Sequence, residues 1–177
     1  MKKLLVLTAF ILFSCIHMDA TAQDLKKEAK ELKKEEQYQG LLRLINTQQY
    51  AFRGNKANPQ KGPQIDLTTR DNFLRVDKEN AVADMPYFGR AYSGGYSASD
   101  GGVKFDGPME TYDVNKNDKK RQVTIKFKVK GKDDTFTCTL TVSGINNASL
   151  SVISNKRQTI SYTGMISELA EEKSQKE

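Results

Sequence analysis

Histidine and cysteine are nearly missing from this chain of 177 residues, which has one of the first, His17, and two of the second, Cys15 and Cys138. His17 and Cys15 both fall in an N-terminal stretch with the features of a leader. If that stretch is removed before Gln23, no imidazole remains. Ser-His-Asp and Cys-His nucleophiles and His-ligated metals are then excluded, because the base or ligand they need is gone. Cys138 is left with no intramolecular disulfide partner. Neither a catalytic residue, a cofactor nor a metal is expected. Long apolar runs are lacking too: Leu4 to Phe13 is too short to span a bilayer as a mature helix.

That run is instead the middle of an expected signal peptide, with Met1-Lys2-Lys3 as its positive end and small residues after it. Two processing sites compete. Ala20-Thr21-Ala22 before Gln23 suits a general signal peptidase, whereas Leu12-Phe13-Ser14-Cys15 resembles a lipobox that would leave Cys15 lipidated and the protein membrane-anchored. Phe13 is bulky for a lipobox, so the first site is favoured. The expected destination is the periplasm, with an outer-membrane lipoprotein as the alternative. A net charge of +6 would suggest nucleic acid in a cytosolic protein. Export argues against that partner and points to an envelope protein, a glycan or a small ligand.

The expected organisation is a signal peptide at 1–22, a helix at 23–48, one β domain at 49–164 and a charged tail at 165–177. In the helix, Tyr38, Leu41, Leu42 and Ile45 fall on one face, while Leu25, Ala29 and Leu32 form only a thin stripe. A first strand is expected around Tyr50 to Gly54. Asn72 to Val76 and Asn80 to Met85 read as a hairpin turned at Asp77-Lys78-Glu79. The strongest pattern follows: Val123, Ile125, Phe127 and Val129 alternate with polar residues, and Phe136, Cys138, Leu140 and Val142 repeat the alternation after a turn at Gly131-Lys132-Asp133. Cys138 stands in the inward phase, where a thiol acts as a small hydrophobe. Ala148, Leu150 and Val152 alternate with serines, and a turn at Asn155-Lys156 leads to Arg157–Thr163. The tail after Met165 reads as a short helix or a frayed end. The fold expected is mainly β (α+β): an antiparallel meander, open or curled into a barrel or sandwich, with one N-terminal amphipathic helix packed on it.

Two charged patterns have simple readings. Asp113, Asn115 and Asn117 have the spacing that opens a calcium loop, but Asp118 stands where glycine is needed and Thr124 where a bidentate Glu is needed. A solvated turn before a strand is expected there. Lys126, Lys128 and Lys130 form a basic row on the open face of the sheet, suited to blocking association.

The unusual stretch is Met85 to Gly107, which gathers six of the twelve glycines and five of the fifteen aromatics. Such a mixture permits tight turns around rings that either pack or present themselves. Arg90, Tyr92, Tyr96 and Asp100 are the candidate binding residues, a cation and a second polar anchor beside stacking rings. Tyr87, Phe88 and Phe105 are the expected plug over the core.

These residues also carry a resemblance. Pro86-Tyr87-Phe88-Gly89-Arg90-Ala91-Tyr92, then Ser99-Asp100-Gly101-Gly102, Phe105 and Gly107, and finally Asn155, Arg157, Gln158, Ile160, Ser161, Tyr162 and Gly164, resemble an exported bacterial family called domain of unknown function 4251. The likeness covers Tyr50 to Gly164. It implies an envelope protein of diderm bacteria and brings no activity or catalytic residues with it. The functional expectation is a non-enzymatic binding or accessory module using the aromatic-glycine loop. Two alternatives stand beside it: a glycan hydrolase built on carboxylates such as Asp100 and Asp106, and a structural envelope protein without a ligand.

Overall fold

The computed structural model describes the backbone of residues 2–90, 102–132 and 134–169, with side chains from residue 25 onward. Helix α1 spans Lys2–Thr47, and the chain divides into two units within it, after Gln37. In the first unit the thin stripe stays in solvent, with Leu25 and Leu32 each 66% exposed. In the second, the broader stripe buries Tyr38, Leu41 and Ile45 and half-buries Leu42. The helix stops where Gln48 turns to a φ of 53° and its N–H closes on Ile45 O at 3.1 Å, which satisfies a terminal carbonyl and redirects the chain.

Among the described residues nine strands follow: β1 (Gln49–Pro59), β2 (Ile65–Asp66), β3 (Phe73–Asp77), β4 (Asn80–Met85), β5 (Val103–Asn117), β6 (Gln122–Lys130), β7 (Thr135–Gly144), β8 (Asn147–Ser154) and β9 (Ile160–Glu168). From β3 to β9 each strand pairs antiparallel with the next, and β1 pairs with both β3 and β9. Among the described residues, β1 and β3 to β9 thus close an eight-stranded barrel. β2 lies only on the far half of β1, at Lys56 and Ala57.

Closure depends on two local devices. Gly54 of β1 stands opposite Gly164 of β9, beside a register shift, and a Cβ on Gly164 would sit 2.0 Å from Arg53 O. Only glycine lets the two strands approach so closely. On the other side of β1, in the gap between β2 and β3, the buried Asn72 amide takes the place of a strand. Its Oδ1 accepts from Gly54 N at 2.7 Å and its Nδ2 donates to Gly54 O at 3.0 Å.

Inward residues fill the barrel. Tyr50, Phe52, Leu74, Met85, Ile125, Phe127, Leu140, Leu150 and Tyr162 are all at most 1% exposed, so the interior is a packed core rather than a lumen. Cys138 lies among them, paired with Phe127 and Val152 on its neighbours, and burial raises its thiol pKa well above the ordinary value. The alternating strands carry their expected faces inward. The up-and-down order also sorts the connections. The last turns of the helix and the β3–β4, β5–β6 and β7–β8 turns lie at one end; the β6–β7 turn, the β8–β9 connection, Pro86 and Gly102 lie at the other.

Three expectations change. Val103 to Asn117 is one long strand, so the end of the glycine-rich stretch is β structure. Asp113, Asn115 and Asn117 lie on β5, and the turn begins at Asp118, where Asn117 Oδ1 accepts from Lys120 N at 3.0 Å. A bulge between Met109 and Thr111 resets the alternation, and beyond it most residues are exposed on both faces, which hides the strand from pattern reading. The β8–β9 connection runs from Asn155 to Thr159 instead of turning at Asn155-Lys156. Finally, β9 continues past Met165 to Glu168 because Ile166 extends the inward phase of Ile160 and Tyr162, and it is fully buried.

Candidate functional site at the barrel mouth

The end of the barrel away from the β3–β4, β5–β6 and β7–β8 turns gathers the stretches singled out in the sequence. β4 delivers Met85 inward, and Pro86 to Arg90 then crosses towards the β8–β9 connection. Three contacts hold it there. Tyr162, rising from β9, donates its hydroxyl to Pro86 O at 2.8 Å. The Tyr87 hydroxyl lies 2.9 Å from Gln158 O and 3.0 Å from Arg90 O, within donating distance of both. The peptide of Arg90 is gripped twice by Gln158, whose N–H donates to Arg90 O at 3.1 Å and whose Oε1 accepts from Arg90 N at 3.4 Å. Tyr87 curls back over Gly89, where a Cβ would fall 2.2 Å from its hydroxyl oxygen, so glycine is required for this wrap.

Arg157 ties in the returning strand. Its Nη1 donates to Gly102 O at 2.6 Å, just before β5, and its guanidinium lies 5.3 Å from the centre of the Tyr87 ring. The residue is 6% exposed. At the same end, Asp134 is buried at the β6–β7 turn, its Oδ1 accepting from Thr135 N at 2.8 Å and its Oδ2 from the Ser154 hydroxyl. Burial raises the Tyr162 pKa, with the neighbouring Tyr87 adding to the shift and Arg157 opposing it, so the phenol stays a donor.

The predicted residues divide accordingly. Tyr87 and Phe88 are half-buried, Phe88 with the Arg70 guanidinium 5.8 Å from its ring, and Phe105 is buried against Phe136 at 5.5 Å. They are packing elements, and Tyr87 is a latch as well. Arg90 is exposed, with its backbone pinned. Tyr92, Tyr96 and Asp100 lie outside the described residues. Asp106 is on the outer wall of β5, exposed, in a groove of about 830 Å³ that it shares with Asp84, Lys104 and Glu110. The Lys row is outside too, with Lys128 bonded to Glu110 at 2.9 Å and Lys126 opposite Asp113. Sequence reasoning missed Arg157, Gln158, Asp134 and Ser154 as parts of the mouth. A buried arginine and an Asp–Ser pair across two turns leave no periodic signal; the family signature contained Arg157 and Gln158, and nothing pointed to Asp134 and Ser154.

The three stretches behind the family resemblance therefore meet in space: Tyr87 reaches Gln158, Tyr162 reaches Pro86, and Arg157 reaches Gly102. No curated protein matches the chain. Among solved structures, the crystal structure of a DUF4251 family protein from Bacteroides eggerthii DSM 20697 is similar in fold, with a TM-score of 0.58 and 21% sequence identity over 75% of this chain and 87% of that one. A family model described as "Domain of unknown function (DUF4251)" matches residues 32–166, from the last turns of α1 to the buried end of β9. The chain belongs to the DUF4251 family.

Proposed function

We propose that the protein is an exported, non-enzymatic binding or accessory module that uses the rim of the aromatic-glycine loop, residues 85–107, as its contact surface, with Arg90, Tyr92, Tyr96 and Asp100 as the binding residues. The observation that carries this reading is the treatment of Arg90. Its peptide is fixed on both sides by Gln158 while its side chain stands in solvent. A cation held on a fixed backbone is preorganised for an anionic group, and the tyrosines that follow it in sequence are residues suited to stacking. The packed interior supports the same reading, since a partner has to be met at the rim or wall rather than in a lumen.

Export enters the proposal as cleavage before Gln23 and release to the periplasm. Its support is the sequence of the leader: the positive end Met1-Lys2-Lys3, the apolar run from Leu4 to Phe13, and the small residues Ala20 and Ala22 before Gln23. Intact mass of the protein from its host checks this; a diacylated N-terminal Cys15 would replace it with the lipoprotein reading.

The rim reading predicts a separation of effects. Arg90→Glu should abolish co-purification of the envelope partner and leave the melting temperature unchanged. Tyr87→Phe, which loses only the latch hydroxyl, should cost about 1 kcal/mol of stability and keep the partner. Loss of stability in Arg90→Glu with partners retained would make the mouth a purely structural cap.

A further inference from the structure

A closed barrel has no free edges, yet β5 keeps one. Val103 to Pro108 pairs with β4, and the last backbone bond on that side runs from Met109 N to Glu79 O at 2.8 Å. From Thr111 to Asn117 the strand pairs with β6 alone, because β4 begins only at Asn80, opposite Pro108. Among the described residues no strand lies on the other edge of 111–117. Thr111, Asp113, Val114, Asn115, Lys116 and Asn117 are exposed, and no proline interrupts them. Such a row of backbone donors and acceptors is a template for strand addition.

We propose that this edge pairs antiparallel with the same edge of a second copy, about a two-fold axis at Val114, so that one sheet runs through two barrels. The occupant follows from the sequence of the edge. A two-fold axis normal to the sheet keeps each residue on its own face, so it centres the pairing on a residue. Centred on Asp113, the pairing would oppose two carboxylates, which is unfavourable. Centred on Val114, it opposes valine to valine, and Tyr112 on each copy faces Lys116 on the other. Asp113 then faces Asn115, and Thr111 faces Asn117. The apolar pair sits at the middle, and each flanking pair places an ammonium beside a ring. No like charges are opposed from 111 to 117. Lys116 Nζ lies on the exposed surface 3.4 Å from Asn46 Oδ1, a contact it can exchange for the ring. One strand pair buries less than the roughly 1,000 Å² of a stable interface, so the dimer fills only as concentration rises.

Sedimentation velocity on the chain purified from its host, from low-micromolar to near-millimolar concentration, tests the proposal. The wild type should pass reversibly from monomer to dimer. Val114→Lys, which opposes two ammonium groups at the axis, should weaken dimerisation about tenfold or more with an unchanged melting temperature, since Val114 is 37% exposed. If that variant unfolds, Val114→Cys under mild oxidation should give a disulfide-linked dimer through residue 114. A wild type that stays monomeric, a dimer indifferent to Val114→Lys, or a Val114→Cys chain that does not cross-link would overturn the proposal.

Discussion

Where β2 and β3 leave a gap beside β1, the backbone of Gly54 has its N–H and C=O satisfied by one buried amide, that of Asn72. Asn72→Ala would strand a donor and an acceptor in the core, each costing about 1–3 kcal/mol, so a loss of about 2 kcal/mol or more in urea unfolding is expected. The buried hydroxyls and thiol set a second expectation. Burial raises the folded-state pKa of Tyr50, Tyr162 and Cys138, so the neutral forms are the ones the fold favours. Their contribution is complete below the unfolded values, about 8.5 for Cys and 10 for Tyr, and is lost as pH rises. Stability from denaturant titrations should therefore begin to fall near pH 8.5, and Cys138→Ala should delay that onset towards pH 10. Cys138 was readable as core from its phase in an alternating strand. Asn72 and Arg157 were not, because a buried polar group is recognised by its partners, and those are distant in sequence.

At the level of elements, legibility followed alternation. β6, β7 and β8 are uninterrupted alternators, and their pairing is the one their patterns imply: Phe127 opposes Cys138, and Leu140 opposes Leu150. β3 and β4 turn at Lys78, with a φ of 54°, as the intervening polar residues suggest. β5 fails the same test because its bulge and its two-sided exposure erase the period, and β2 is too short to have one. The charged residues after Ile166 similarly concealed the end of β9. That strand offers the clearest test of closure. Gly164→Ala would drive a methyl group into Arg53 O and Gly54 Cα, separating β9 from β1. A loss of about 3 kcal/mol is expected in thermal or denaturant unfolding, with hydrogen exchange accelerated along β1 and β9 before β6 and β7.

For the whole molecule, closure follows from the pairing of the first strand with the last, a contact that no local pattern encodes. The mouth follows from closure. Bringing β9 beside β1 brings the β8–β9 connection over the end of β4, and Tyr87, Arg157 and Tyr162 then fasten the rim. The sequence marked this region by its glycines and rings and named Arg90 within it. It also placed Tyr87 in the plug over the core, but it did not show that the Tyr87 hydroxyl fastens the mouth, since its partner Gln158 is distant in sequence. The claim that the rim, and not the wall, meets a partner is tested most directly by site-specific photocrosslinking in the host. A benzophenone amino acid placed at Tyr92 or Tyr96 should give a discrete adduct with an envelope component, and the same probe at Thr139 on the outer wall of β7 should give none. Adducts at Thr139 with none at Tyr92 or Tyr96 would contradict it.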